Sequence, residues 1–155
     1  MKIIGYLLLI VSCTTFGYSV SKSCKNKLVY SLSYINMLSQ ILANIEVLHL
    51  PLNKIFEKIS DKELDRIGYL TILQNSNLYL AYCEFEDKFV FDKEHYDFCK
   101  KLGTLPLSDT IKLCNFEIAR LNKIFDNKKS DYDKRIKLYP ALSMLIGLAV
   151  IILII

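Results

Sequence analysis

The sequence predicts an all-α membrane protein, a helical hairpin or small bundle between an N-terminal and a C-terminal transmembrane helix. Three observations carry this. Glycine and proline are scarce, at five and three in 155 residues, so little interrupts helical periodicity. Charge is confined to the middle: all 16 acidic residues, and every lysine and arginine except Lys2, lie within residues 22–137. Both ends are apolar: residues 3–20 and 138–155 carry no charge, and each 18-residue stretch makes a helix of about 27 Å, against a hydrocarbon core of about 30 Å. The expected division is a transmembrane helix over 1–21, a helical domain over 22–137 and a second transmembrane helix over 138–155.

The opening stretch MKIIGYLLLIVSC has two readings. Lys2, the apolar run and Ile10-Val11-Ser12-Cys13 resemble a lipobox, with cleavage before Cys13 and lipid on its sulfur. Alternatively the segment is retained as a span. Lys22, Lys25 and Lys27 follow it, and Lys128, Lys129, Lys134, Arg135 and Lys137 precede the second apolar segment. Basic residues beside a span favour the cytoplasmic side, so the middle domain is expected in the cytoplasm. An exported lipoprotein acylated at Cys13 runs against this bias. Within the spans, Cys13 and Gly17 are four apart, as are Ser143 and Gly147. Small residues at that spacing let helix backbones approach closely, so the spans are expected to pack on each other or on those of a second copy.

Between the spans, Ser33, Asn36, Gln40 and Asn44 form a polar stripe opposite Leu28, Ile35, Leu38, Leu42 and Ile45, which predicts a helix over 28–48 continuous with the first span. Pro51 ends it and starts a helix with Leu52, Ile55, Phe56 and Ile59 on one face. Ser60-Asp61-Lys62-Glu63 fits a capping box with Ser60 as N-cap, opening a short helix that Gly68 closes. Gln74-Asn75-Ser76-Asn77 predicts a surface turn. Leu78 to Leu102 reads as helix in one or two pieces, with Gly103 at the C′ position. Leu107, Ile111, Cys114, Ile118, Leu121 and Phe125 then predict a long helix reaching the second span, with Pro140 kinking it or starting the span afresh. Phe89-Val90-Phe91 is too short and too flanked by charge to argue for a strand.

The sequence offers little chemistry. There is no GxxxxGK or GxGxxG phosphate loop. His49 and His95 are far apart; His95 shares a helical face with Cys99, but two residues fall short of a zinc site, and a partly exposed histidine is the simpler expectation. The five cysteines form no CxxC, and the acidic residues from Glu84 to Asp97 read as a solvated face. No catalytic residue, cofactor or metal is expected. Nineteen basic against 16 acidic residues in the middle domain is too mild an excess, without a dense stripe, for nucleic acid.

The layout resembles the stage III sporulation protein AB family of endospore-forming bacteria. Lys2, Gly5, Thr15 and Gly17 match its opening pattern, Pro51-Leu52 its Pro-Leu after the first long helix, and Leu102-Gly103 its Leu-Gly before the last helix. Gly147 falls on a family glycine. Leu48 stands where the family has glycine, Pro106 where it has an acidic residue, and a glutamine of the next turn is missing. The resemblance implies a non-enzymatic subunit of a channel-like complex, in the mother-cell membrane around the forespore. It also implies a cytoplasmic domain similar to that of the type II secretion and type IV pilus platform protein. The implied partners are a cytoplasmic ATPase of the same complex and other membrane subunits. A docking region is expected at the turns far from the membrane, around Pro51, Leu52, Lys100, Lys101, Leu102 and Gly103. The alternative is a small subunit of another transport complex, although neither span holds an ionisable residue.

Overall fold

The computed structural model describes the backbone of residues 2–154 and the side chains of residues 5, 6 and 8–152. Among them no strand forms. The helices are α1 (Lys2–Leu48), α2 (Leu52–Lys58), α3 (Lys62–Arg66), α4 (Tyr69–Asn75), α5 (Leu78–Phe85), α6 (His95–Lys101) and α7 (Leu107–Ile154), with a 3-10 turn at Glu86–Lys88. The chain divides into two compact units: residues 27–128, and residues 1–26 paired with 129–155. The long helices α1 and α7 contribute to both.

In residues 27–128, α1 buries Tyr34, Ile35, Met37, Leu38, Ile41 and Ile45, while Asn36 and Gln40 on its other side stay exposed. The helix ends at Leu48, where His49 turns with φ 48°. The Pro51 carbonyl then accepts from the N–H groups of Lys54 and Ile55, starting α2, which buries Ile55 and Phe56.

The predicted N-cap at Ser60 is corrected by one residue. Asp61 Oδ1 accepts from the N–H groups of both Glu63 and Leu64, each at 3.0 Å, so the carboxylate satisfies two donors of α3. Gly68, with φ 81°, separates α3 from α4. The sequence had left α4 unassigned; it buries Tyr69, Leu70 and Leu73 and shortens the predicted turn to Ser76 and Asn77. Asn77 caps α5 by accepting from Leu80 N–H at 2.9 Å.

The helical reading of 78–102 holds in two pieces, α5 and α6, separated by residues 86–94, of which 89–91 form neither helix nor strand. Phe89 and Val90 are buried there, so their backbone needs partners. Val90 N–H donates to Ser31 Oγ at 2.9 Å, and its carbonyl accepts from Lys128 Nζ at 2.6 Å. Two side chains from α1 and α7 thereby supply what a helical ladder would.

In the other unit, α7 runs without a break through Pro140. Proline has no N–H, so the carbonyl four residues earlier, that of Ile136, loses its helical donor. Ser21 Oγ of α1 donates to that carbonyl at 2.8 Å. One turn away along α1, Gly17 faces Ser143: a β-carbon on Gly17 would lie 2.7 Å from Ser143 Cβ and 2.9 Å from the Tyr139 carbonyl. The backbones meet there because the side chain is absent. Across the same contact, a β-carbon on Gly147 would lie 3.3 Å from Cys13 Cβ.

Among the described residues, α7 is the one helix long and apolar enough to cross a membrane. Only 6% of its most apolar stretch is buried within the chain, which separates it from the core helix of a water-soluble protein. Part of the apolar run of the predicted first span, Ile3, Ile4 and Leu7, lies outside the described side chains.

Candidate functional site

Three non-helical connections of residues 27–128 converge on one cleft of about 650 Å³. Leu50 and Pro51 come from the α1–α2 turn, with Leu52 opening α2, Ser76 and Asn77 from the α4–α5 turn, and Gly103, Thr104 and Leu105 from the α6–α7 turn. Lys100 and Leu102 also line it. Of the residues predicted to dock a partner, five therefore share this cleft, and Lys101 is exposed beside it. Gly103 is needed as glycine: its φ is 91°, and an added β-carbon would come within 3.0 Å of Leu52 Cδ1.

The cleft wall mixes aliphatic side chains, Leu50, Leu52 and Leu105 among them, with the polar Asn53, Asn77 and Thr104. Among the described residues its one charged lining group is Lys100, whose ammonium lies 5.0 Å from the centre of the Tyr79 ring, and no carboxylate lines it. The Cys99 thiol at its edge is pushed up to about 12 by burial, so it stays protonated and is no nucleophile. Such a surface can grip apolar side chains and attract a negative charge.

Behind this cleft lies a polar network that the sequence reading did not find. His95, expected to be partly exposed, is 0% exposed, and Glu117 is 4% exposed. His95 Nδ1 donates to Glu117 Oε1 at 2.6 Å, and Tyr34 Oη donates to His95 Nε2 at 2.6 Å. This tautomer is assigned from the partners: burial lowers the His95 pKa from 6.5, leaving a neutral ring, and raises that of Tyr34, keeping its proton. The Cys99 thiol lies 3.7 Å from Tyr34 Oη. Arg120 then grips Glu117 with two bonds, Nε to Oε2 at 2.9 Å and Nη2 to Oε1 at 2.7 Å. Its Nη1 donates to Asp92 at 2.8 and 3.0 Å and to Glu94 at 3.2 Å. Burial alone would raise the Glu117 pKa, but the bonds from His95 and Arg120 outweigh it and hold the carboxyl below its ordinary 4.5.

Its inner members, His95 and Glu117, are sealed from solvent, so a substrate cannot reach His95, while Asp92 and Glu94 carry its outer end to the surface. It joins α1, the 86–94 segment, α6 and α7 at one point. The signal for it was present. Glu117 sits three after Cys114 and four before Leu121, in phase with the buried Thr110, Cys114, Leu121 and Phe125. The predicted face passed through Ile118 instead. Asp92 and Glu94, read as part of a solvated face, are the outer ligands of Arg120. Among the described residues no group of three His, Cys, Asp or Glu side chains is arranged to hold a metal ion.

In the other unit the structure brings together all four residues singled out for span packing, Gly17 with Ser143 and Cys13 with Gly147.

The family model described as stage III sporulation protein AB matches residues 2–79, half of the chain. No curated protein matches, and no solved structure matches. By that match, set beside its helical architecture and apolar helix, the chain belongs to the stage III sporulation protein AB family, and its role lies in sporulation.

Proposed function

We propose that this protein is a non-enzymatic platform subunit that anchors a cytoplasmic ATPase to the membrane within a channel-type complex of sporulation. Its residues 1–21 and 138–155 form two spans, and residues 22–137 lie in the cytoplasm, where the ATPase is. The domain resembles the cytoplasmic domain of the type II secretion and type IV pilus platform protein in this role. One observation carries the reading: three separate turns build a single cleft with mixed aliphatic and polar walls, one ammonium and no carboxylate, a surface suited to contact rather than to chemistry. The basic residues flanking both apolar segments support the cytoplasmic placement. The sealed state of the His95–Glu117 pair supports a rigid, non-catalytic body.

The double reversal Lys100→Glu with Lys101→Glu is expected to cut recovery of the ATPase with the membrane-bound protein at least tenfold in a pull-down from sporulating cells. Both side chains are exposed, so folding should be unaffected. Full recovery of the ATPase by the variant would remove the cleft as its dock.

A further inference from the structure

We propose that the helix pair of residues 1–26 and 129–155 holds one anionic phospholipid, its acyl chain in a groove between the helices and its phosphate at Arg135. The inference rests on the membrane placement above. The groove, of about 540 Å³, is lined by Ser12, Phe16 and Val20 of α1 and by Tyr139, Leu142 and Ile146 of α7, over a floor of Cys13, Gly17 and Ser143. The floor offers little polarity, since the Ser143 hydroxyl is already bonded to the Pro140 carbonyl at 2.9 Å.

Length and charge identify the occupant. From Val20 to Ser12 the groove runs eight residues, about 12 Å at 1.5 Å per residue. That is close to the depth of one leaflet, about 15 Å or half the hydrocarbon core. A transmembrane helix of a neighbour would seek a groove through both leaflets. Beyond the Val20–Tyr139 end of the groove, cations follow within about a turn or two of both helices. Arg135 is four residues before Tyr139 in an unbroken helix, so the two share a face. Its exposed guanidinium lies 5.8 Å from the centre of the Tyr132 ring, and it makes no ion pair among the described residues. A guanidinium matches two phosphate oxygens at once. Lys22, Lys25, Lys129, Lys134 and Lys137 belong to the same end of the pair, and among the described residues only Lys134 approaches a carboxylate, Asp131 at 3.9 Å.

The test uses the full chain in vesicles of phosphatidylcholine with trace spin-labelled lipid, either phosphatidylglycerol or phosphatidylcholine, read by electron paramagnetic resonance. The wild type is expected to immobilise the anionic label about fivefold more strongly, the effect of one cation near the headgroups, and to lose this preference in high salt. Arg135→Gln should cut the ratio at least about twofold, the lysines of the same end holding the remainder. Ser12→Trp, at the exposed lip of the groove, should reduce immobilisation of both labels. Equal immobilisation of the two labels by the wild type, or an unchanged ratio in Arg135→Gln, would overturn the headgroup site. Unchanged immobilisation in Ser12→Trp would overturn the groove as its chain path. Release of the wild type from the vesicles by alkaline carbonate would instead defeat the membrane placement, and the lipid site with it.

Discussion

Residues 27–128 put their largest side chains inside. Tyr34, Tyr69, Tyr82, Met37 and Leu73 are at most 2% exposed, and the rings of Tyr34 and Tyr69 meet edge to face at 5.7 Å. The helix pair of residues 1–26 and 129–155 does the reverse. Gly17, Ser143 and Gly147 are inside, while Phe16, Leu145, Ile146 and Ile152 are each at least 59% exposed. The difference is the one expected if, as proposed above, the helix pair lies in the membrane and the larger unit in water. Water drives large apolar groups together. Lipid does not, so helices there associate through close backbone approach and through bonds to freed polar groups. Gly17 supplies the first and the Ser21–Ile136 bond the second.

Breaking each unit by its own logic tests this contrast. The largest effect is expected from Glu117→Ala, which leaves His95 Nδ1 without an acceptor and strips Arg120 of its buried partner. Losing one partner of a buried pair costs about 3–5 kcal/mol, read as a fall in denaturant stability of residues 27–128 by near-ultraviolet tyrosine dichroism. The helix pair should be indifferent to it. An unchanged midpoint would mean that the network contributes nothing to this unit.

The converse variant is Gly17→Leu. Its readout is a disulfide formed by Cys13 in a parent chain carrying Gly147→Cys, since a β-carbon at position 147 would stand 3.3 Å from that of Cys13. Forcing a side chain against Ser143 costs about 1–3 kcal/mol of packing, so the crosslink should fall several-fold while the tyrosine signal keeps its midpoint. A crosslink as efficient as before would mean that the pair does not depend on that approach.

Acid sharpens the same contrast. His95 has its folded pKa below 6.5 and Glu117 below 4.5, so in both windows the unfolded chain binds the proton first. Stability of residues 27–128 is therefore complete above pH 6.5, declines as pH falls below it, and declines again below 4.5, each step by at most about 1.4 kcal/mol per pH unit. Stability that instead rises between pH 7 and 5 would show that His95 is charged in the folded protein.

The smallest effect is expected from Ser21→Ala, which leaves the Ile136 carbonyl without a donor. A loss of about 1 kcal/mol should appear as a modest drop in the same engineered crosslink from Cys13. A crosslink equal to that of the parent would mean that the carbonyl finds another donor.

The helix pair was more legible in the sequence than the larger unit. Its determinants are local: small residues four apart and a break in charge can be read within one helix. Helical periodicity likewise marked α1, α2 and α7, and Gly103 marked the end of α6. What escaped was set by distant partners. The 86–94 segment leaves the helix because Ser31 and Lys128 hold Val90 from 59 and 38 residues away. His95 is buried because Tyr34 and Glu117 meet it from α1 and α7, a coincidence that no spacing around His95 records. The capping error at Ser60 was of another kind, since adjacent Ser60 and Asp61 are both good caps and only geometry chooses between them.

Intact mass spectrometry of the protein taken from membranes is the most direct test of the paired-helix anchor. Retention of both helices predicts the mass of the whole 155-residue chain, 17.9 kDa, with residues 1–13 included. A mass beginning at a diacylated Cys13 would remove the residues that precede it from the contact with α7, place the larger unit outside the cell, and contradict the platform role.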